Sequence, residues 1–355
     1  MTFGADHYVP VLKVKRGEKR ALALVSPTLQ PRITPLLEIV ERKPDKAPSV
    51  DAHLDTAFKD LAESVRPYSR CFLDPREMAP DGPAAADEVY QRADALGIVF
   101  TPVTGISRTA DVAAALQYQS RGVALRLTRE EFDAGSLRPN LLGFMDHHGL
   151  RPEQTDLIVD LGAVDDLITE GVEALSHAFL FEVPDHSRWR TFTLSACAFP
   201  FSMAVVERHS HGIVPRAEWL AWRGGLYARR SETVRLPTYS DCAIQHPAGV
   251  EGFDFRTMQA SAAVRYTTSE DWLLIKGEST RLTRPSAQFP ELATQLVYGH
   301  LRSYFADSGH CAGCESMKAV ADGASGIGSL EAWRRLGTIH HVTAVVEALA
   351  RLPWP

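Results

Sequence analysis

The sequence predicts an α/β protein built as a (β/α)8 TIM-barrel-like fold with a C-terminal hairpin and helical elaboration. Short apolar runs recur along the chain, and most of them end in a charged or polar residue. Runs that are apolar throughout are typical of strands buried on both faces of a parallel sheet. Helical patterns separate these runs, and eight such units over about 250 residues match a closed barrel. An open doubly wound sheet is the alternative, although no glycine fingerprint for a dinucleotide follows an early strand.

The strands and helices follow from the apolar spacing. The eight strands are expected at 9–15, 33–39, 71–74, 98–103, 123–127, 157–161, 191–198 and 239–245. The helices between them are expected at 17–24, 50–65, 83–96, 107–120, 165–179, 203–209 and 216–229. Ser107 is expected to cap the helix that it begins, and Gly122 to follow its end. The crossover 129–152 is interrupted by glycines and prolines.

The pattern changes after residue 245. Segments 259–266 and 272–276 predict an antiparallel hairpin, and 289–305 and 328–349 predict helices. No linker composition separates this region. We therefore expect residues 1–250 to form the barrel and residues 251–355 to pack on it within the same domain.

Composition excludes several classes of protein. The 355 residues carry a net charge of −6 and are 45% apolar, which is ordinary globular composition without a global nucleic-acid signature. No run is long and apolar enough to suggest a membrane span, and residues 1–8 lack the pattern of a signal peptide, so we expect a cytoplasmic protein with no membrane partner. Cys71, Cys197 and Cys242 lie in or beside apolar runs and are expected to be buried thiols.

Four segments resemble a known family. They are the opening 8–18, then 33–39, 236–241 and 333–341. Together they are similar to the beta protein family, which occurs in T-even-like phages and in many bacteria. The resemblance implies no established reaction. The family's occurrence near phage and defence genes implies a part in antiviral defence, with a protein partner as one possible ligand.

The polar residues at the strand ends are the candidate site. Charges on apolar strands are costly unless they are paired or solvated, and barrel sites form where the strands end. The candidate catalytic residues are Glu38, Asp74, Asp160 and Asp241, and the candidate ligand-binding residues are Lys13, Lys15, Arg76, Arg126, Arg334 and His341. This set would suit an anionic, phosphate-bearing ligand or a nucleic acid, and the carboxylates could hold Mg²⁺ or Mn²⁺ for a phosphoesterase or nuclease reaction.

Two other interpretations of this set stay open. In the first, the charges form a structural ion-pair network, with Glu38 bound to Lys13 or Lys15 and Asp160 bound to Arg126. In the second, the protein is no enzyme and the same surface recognises a nucleotide or protein as an effector in a phage–host conflict. Lys13 and Lys15, two residues apart on one strand face, favour an anion clamp over a Schiff-base lysine.

The segment His310-Cys311-Ala-Gly-Cys314 offers three soft ligands in five residues. Zinc or a redox-active pair would account for them, but a structural zinc site needs a second ligand pair, and only the distant His340 and His341 follow. We therefore interpret Cys311 and Cys314 as two ordinary thiols at a helix start.

Overall fold

Residues 3–133, 135–249 and 260–354 are described by the computed structural model, and within these ranges the chain forms eleven strands and twelve α-helices. The strands are β1 (Tyr8–Lys13), β2 (Leu36–Glu38), β3 (Cys71–Asp74), β4 (Phe100–Thr104), β5 (Val123–Thr128), β6 (Thr155–Ala163), β7 (Thr191–Cys197), β8 (Ser210–Pro215), β9 (Thr238–Asp241), β10 (Ser261–Thr267) and β11 (Asp271–Ser279). The strands β1 to β7 and β9 form a closed parallel barrel, and β10, β11 and β8 form a separate antiparallel sheet.

The helices surround the barrel and extend the C-terminal region. They are α1 (Arg16–Leu24), α2 (Val50–Phe58), α3 (Leu61–Val65), α4 (Pro83–Ala95), α5 (Val112–Gln117), α6 (Arg129–Asp133), α7 (Leu137–His147), α8 (Thr169–Glu182), α9 (Ala217–Ala221), α10 (Pro285–Val297), α11 (Ala312–Ala321) and α12 (Leu330–Arg351). None of these helices is both long and apolar enough to span a membrane.

The predicted barrel is confirmed, and each of the eight predicted strands overlaps one barrel strand. Strand register then sets the height of the polar residues. Lys13 pairs with Glu38 across β1 and β2, and Glu38 pairs with Asp74 across β2 and β3. Because successive side chains alternate between the faces of a strand, residues paired at one level point to the same side. Three charged side chains therefore meet at one end of the barrel.

The helices predicted at 50–65 and 107–120 differ from the structure. The single helix expected at 50–65 is broken into α2 and α3 at Asp60, whose φ of 63° is left-handed and cannot continue a helix. Ser107 does not cap a helix, because α5 begins only at Val112, after Asp111. The Ser107 hydroxyl instead donates to Glu131 at 2.8 Å, a partner distant in sequence.

The C-terminal hairpin gains a third strand. The helix expected at 203–209 is only a 3₁₀ turn at Met203–Val205, and Ser210–Pro215 forms β8, which pairs antiparallel with β11. This edge strand is mostly exposed and carries no apolar alternation, so its sequence gives no strand signal. The helix expected at 289–305 spans Pro285–Val297, where proline suits the first turn.

Helix α12 connects the barrel to the C-terminal sheet, packing against α1, β1 and β10. Gly337 permits this contact, because a Cβ there would lie 2.7 Å from the carbonyl oxygen of Arg265 on β10. A second apolar cluster, with Tyr266, Phe289 and Trp333 among its members, fills the space between β10, β11, α10, α11 and α12. The position of α12 decides where several candidate residues lie.

Candidate functional site at the barrel mouth

The guanidinium of Arg126 on β5 is the centre of the polar cluster at the carboxyl ends of the strands, here called the barrel mouth. Nη1 donates to Glu38 Oε1 at 2.7 Å and to Asp74 Oδ2 at 2.8 Å, and Nη2 lies 2.6 Å from Asp160 Oδ2. Arg126 is buried, and so are its three carboxylate partners. Three of the predicted site residues therefore meet around a fourth, Arg126.

Lys13 extends the network on its other side. Its ammonium lies 3.0 Å from Glu38 Oε2 and also binds Glu77, which follows β3. The structural pairings that the sequence offered, Lys13 with Glu38 and Arg126 with Asp160, are thus the contacts observed. Lys15 lies after the end of β1 at Lys13 and directly before α1. It therefore does not share a strand face with Lys13, which differs from the prediction.

Arg108 and Asp111 complete the network, and sequence reasoning missed both. Arg108 Nη2 lies 2.7 Å from Asp74 Oδ1, and its Nε donates to Asp111 Oδ2 at 2.8 Å. Both residues lie between β4 and α5, outside any strand. The one available signal was the pair of charges in a loop at the carboxyl end of a strand, where barrel sites form.

Electrostatics keep this network ionised despite its burial. Burial alone would raise the pKa of the Asp74 carboxyl, but Arg108 and Arg126 hold it well below its usual range. Burial opposes the charge of Arg126 as well, and Asp160, Glu38 and Asp74 raise its pKa. Each charged form is stabilised by its neighbours, so the removal of one charge would disfavour the ionised form of the others.

The carboxylates do not fit a divalent cation in this arrangement. The guanidinium of Arg126 occupies the position between Glu38, Asp74 and Asp160 that an ion would take. The remaining carboxylate oxygens are also engaged, since Asp74 Oδ1 accepts from Arg108 and Asp160 Oδ1 accepts from the Gly162 amide. A cation ligated by oxygen requires lone pairs that these contacts already use.

Asp241 and His341 lie together, but apart from this network. His341 Nε2 is 3.1 Å from each Asp241 carboxylate oxygen, and the Tyr8 and Tyr239 hydroxyls donate to the same carboxylate. Both side chains are at most 1% exposed. They pack between the barrel wall and α12, so neither reaches a ligand at the mouth.

A buried arginine and glutamate adjoin this pair. Arg216, which precedes α9, lies 3.7 Å from Asp241 and 4.0 Å from Glu218, and its Nε and Nη2 have no hydrogen-bond partner among the described residues. Burial raises the pKa of Glu218 to about 8. Asp241 differs: burial would raise its pKa, but His341 and Arg216 hold it at about 2.

Arg265 lies on the side of the mouth formed by β7 and β9, and the charge of Arg334 acts on it. Arg265 Nη1 donates to the Ile244 carbonyl at 2.8 Å, and its guanidinium lies 5.0 Å from the Phe199 ring centre. Burial and then Arg334 lower the pKa of Arg265 to about 9, whereas Glu18 acts in the opposite direction. Within the described residues, neither arginine forms an ion pair. Arg265 is not among the predicted site residues, because how near it comes to Arg334 depends on how α12 packs.

Arg76 and the opposite end of the barrel complete the placement. Arg76 is partly exposed, and its guanidinium lies 3.6 Å from Glu130 rather than in the Arg126 cluster. A second buried network occupies the amino ends of the strands, where Arg70 and Arg190 both bind Asp156. Charged networks at the amino ends of barrel strands suit a role in stability rather than in ligand binding.

The closed strand order and the surrounding helices define a (β/α)8 barrel. The chain belongs to the Beta protein family, whose model matches residues 8–347, and this confirms the resemblance in the sequence. Among solved structures it is similar to the mandelate racemase/muconate lactonizing protein from Herpetosiphon aurantiacus, at 11% identity and a TM-score of 0.32. That match covers 76% of this chain and 63% of the other, so the chain spans less than two thirds of that protein. A search of curated proteins finds no match.

Proposed function

We propose that the barrel mouth binds an anionic, phosphate-bearing ligand through Arg265 and Arg334, and that the protein acts by recognition. The observation that carries this proposal is the place of Arg265. Its guanidinium is held by the Ile244 carbonyl and Phe199, feels the charge of Arg334, and has no carboxylate in ion-pair contact among the described residues. Two like charges held close repel each other, and an anion between them would relieve that repulsion. Guanidinium groups also match phosphate oxygens in a bidentate manner.

The position of the two arginines supports the same proposal. In the barrel, β7 and β9 are the seventh and eighth strands. The loops after these two strands often build phosphate sites in such barrels. Phe199 follows β7 and Ile244 follows β9, and Arg265 contacts both. Arg265 is therefore oriented by the segments that follow two barrel strands.

The Arg126 network has a supporting part in this proposal. Its lysine and arginine were predicted to bind the anion, but their charges are neutralised by Glu38, Asp74 and Asp160. These side chains stabilise the mouth and leave binding to the arginines beside it. For the same reason, metal-dependent phosphoester hydrolysis at these carboxylates is not favoured.

Binding is tested by isothermal titration of the purified full chain with pyrophosphate and with ADP. We expect binding that weakens as salt rises, and a loss of at least about tenfold in Arg265→Gln and in Arg334→Gln, since each removes a charged contact worth about 1.5–3 kcal/mol. Arg66→Gln, an exposed arginine at the end of α3, is the matched control and should bind normally. Equal affinity in all four proteins would refute the proposal.

Catalysis is tested separately with bis(p-nitrophenyl) phosphate and Mg²⁺ or Mn²⁺. We expect no turnover above that of the buffer, and unchanged ligand binding in Asp160→Asn if the protein still folds. Metal-dependent turnover that disappears in Asp160→Asn would instead establish the phosphoesterase alternative. The role in phage–host conflict rests on the family's occurrence, and a test of phage infection with the Arg265→Gln variant would connect it to this site.

A further inference from the structure

Cys311 and Cys314 lie at the start of α11. Cys311 precedes the helix, and its Sγ accepts a hydrogen bond from the Cys314 backbone amide at 3.3 Å. A Cys-x-x-Cys spacing across a helix start directs both sulfurs to one side. Both cysteines are free thiols, Cys314 is fully buried, and Cys311 is partly exposed.

His340 on α12 faces both sulfurs. Its Nδ1 lies 3.2 Å from Cys314 Sγ and 4.0 Å from Cys311 Sγ. Its Nε2 lies 2.7 Å from the Thr267 carbonyl oxygen, which can only accept, so the ring proton sits on Nε2. The Nδ1 lone pair therefore points to the two thiols. A histidine held by a carbonyl at its far nitrogen is the usual arrangement of a metal ligand.

The approach of the two helices depends on Gly313. A Cβ at Gly313 would lie 2.5 Å from the Leu336 carbonyl oxygen and 3.4 Å from the His340 backbone nitrogen. Only glycine permits this contact, and it is the contact that brings the cysteines to His340.

His310 completes the cluster from the residue before Cys311. A ring nitrogen of His310, the sulfur of Cys311 and a ring nitrogen of His340 all lie within 4.8 Å of one another. His310 Nδ1 is 3.6 Å from Glu347, and its Nε2 is buried without a hydrogen-bond partner among the described residues. A buried ring nitrogen without a hydrogen-bond partner is available to bind a ligand.

We propose that Cys311, Cys314, His340 and His310 bind a Zn²⁺ ion as a structural site. Sulfur and imidazole are the ligands that zinc prefers, and four protein ligands are typical of structural sites. With Zn–S near 2.3 Å and Zn–N near 2.1 Å, a tetrahedral site places sulfur and nitrogen ligands about 3.6 Å apart. The two distances from His340 Nδ1, 3.2 and 4.0 Å, bracket that value. The second ligand pair that the sequence lacked is supplied by α12.

The surroundings suit a bound thiolate. Cys311 lies at a helix start, where the Cys314 backbone amide points at its sulfur and favours negative charge there. Tyr266 stacks on the His340 ring at 3.9 Å, and its hydroxyl lies 3.4 Å from Cys314 Sγ. The ion would join α11, α12 and the sheet at Thr267, and so stabilise the elements that carry Arg265 and Arg334.

The test uses the full chain, reduced, stripped of metal and titrated with Co²⁺, which reports tetrahedral thiolate coordination by its absorption bands. We expect sulfur-to-cobalt charge transfer and intense visible bands that saturate at an equimolar amount of Co²⁺. Added Zn²⁺ should bleach these bands and raise the melting temperature. Wild-type protein that shows no bands after reduction would overturn the proposal, because Cys311 and Cys314 would then be an ordinary thiol pair that binds no metal.

Variants locate the ion. Cys311→Ser with Cys314→Ser, and separately His340→Gln, should lose the bands and the zinc-dependent rise in melting temperature. Cys71→Ser with Cys242→Ser removes two buried thiols from the barrel and should keep both. Cobalt bands that persist without Cys311 and Cys314, or that vanish only in the control variant, would contradict the assignment. If a variant fails to fold, the wild-type titration still decides.

Discussion

His341 Nε2 lies 3.1 Å from both carboxylate oxygens of Asp241, and this contact joins the last helix to the last strand of the barrel. His341 Nδ1 lies 2.9 Å from the Thr267 hydroxyl, so the same ring also reaches the C-terminal sheet. The imidazole therefore connects three parts of the fold in a place closed to solvent. Its neighbour His340 also contacts Thr267, through the backbone carbonyl, but its other ring nitrogen faces the two cysteines. Two adjacent histidines thus serve two different clusters.

Replacing Arg126 by methionine should destabilise the protein by about 3–5 kcal/mol, because three buried carboxylates lose their common partner. The free energy of unfolding in urea at pH 7 measures this. Arg66→Gln, an exposed substitution, should change it by less than about 0.5 kcal/mol. A loss below about 1 kcal/mol for Arg126→Met would show that the network contributes little.

Glu218→Gln should stabilise the protein, and more at pH 9 than at pH 5. Burial raises the pKa of Glu218 to about 8, so the folded carboxyl keeps a proton that the unfolded one loses near pH 4.3. Wild-type stability therefore falls relative to the variant by up to about 1.4 kcal/mol per pH unit between these values. Urea unfolding at several pH values measures the difference.

The control for that prediction is Glu232→Gln, which replaces an exposed glutamate. Its unfolding free energy should follow that of the wild type at every pH. A stability difference for Glu218→Gln that stays constant from pH 5 to pH 9 would mean that the buried carboxyl does not titrate as described.

His7→Gln should reduce the loss of stability in acid. Burial and then Arg70 lower the pKa of His7 to about 3, so it stays neutral in the folded state while the unfolded chain takes up a proton below pH 6.5. The contribution of neutral His7 to the free energy of unfolding is therefore complete above pH 6.5. It declines as the pH falls toward 3, by up to about 1.4 kcal/mol per pH unit. Chemical unfolding from pH 7 to pH 4 measures the slope, and the exposed His300→Gln should leave it unchanged.

Gly122→Ala should destabilise the protein by about 1–3 kcal/mol. Gly122 has a φ of 84°, and a Cβ there would lie 2.5 Å from the Gln154 carbonyl oxygen and collide with Arg190, which binds Asp156. Gly143→Ala is the opposite case, since this glycine lies within α7 and a Cβ would meet nothing within 4 Å. That variant should gain up to about 1 kcal/mol. Thermal unfolding compares the two, and similar melting temperatures would contradict the backbone argument.

The sequence determined the barrel and its polar strand ends. Alternating apolar runs and helical patterns are local properties, so the eight strands and most helices follow from spacing alone. The charged ends of β1, β2, β3, β5 and β6 also follow, because few other residues interrupt the apolar runs. Strand β8 escaped prediction because an exposed edge strand carries no apolar pattern.

Only the tertiary structure decided which charges meet. Asp74 faces Arg126, whereas Asp241, also at the end of a strand, faces His341 on α12. The two differ because a shift of one residue in register moves a side chain to the other face of the sheet. Arg265 comes under the charge of Arg334, and Cys314 contacts His340, through the docking of α12 against β10 and α11. These contacts join residues far apart in the chain, and packing rather than local pattern sets their distances.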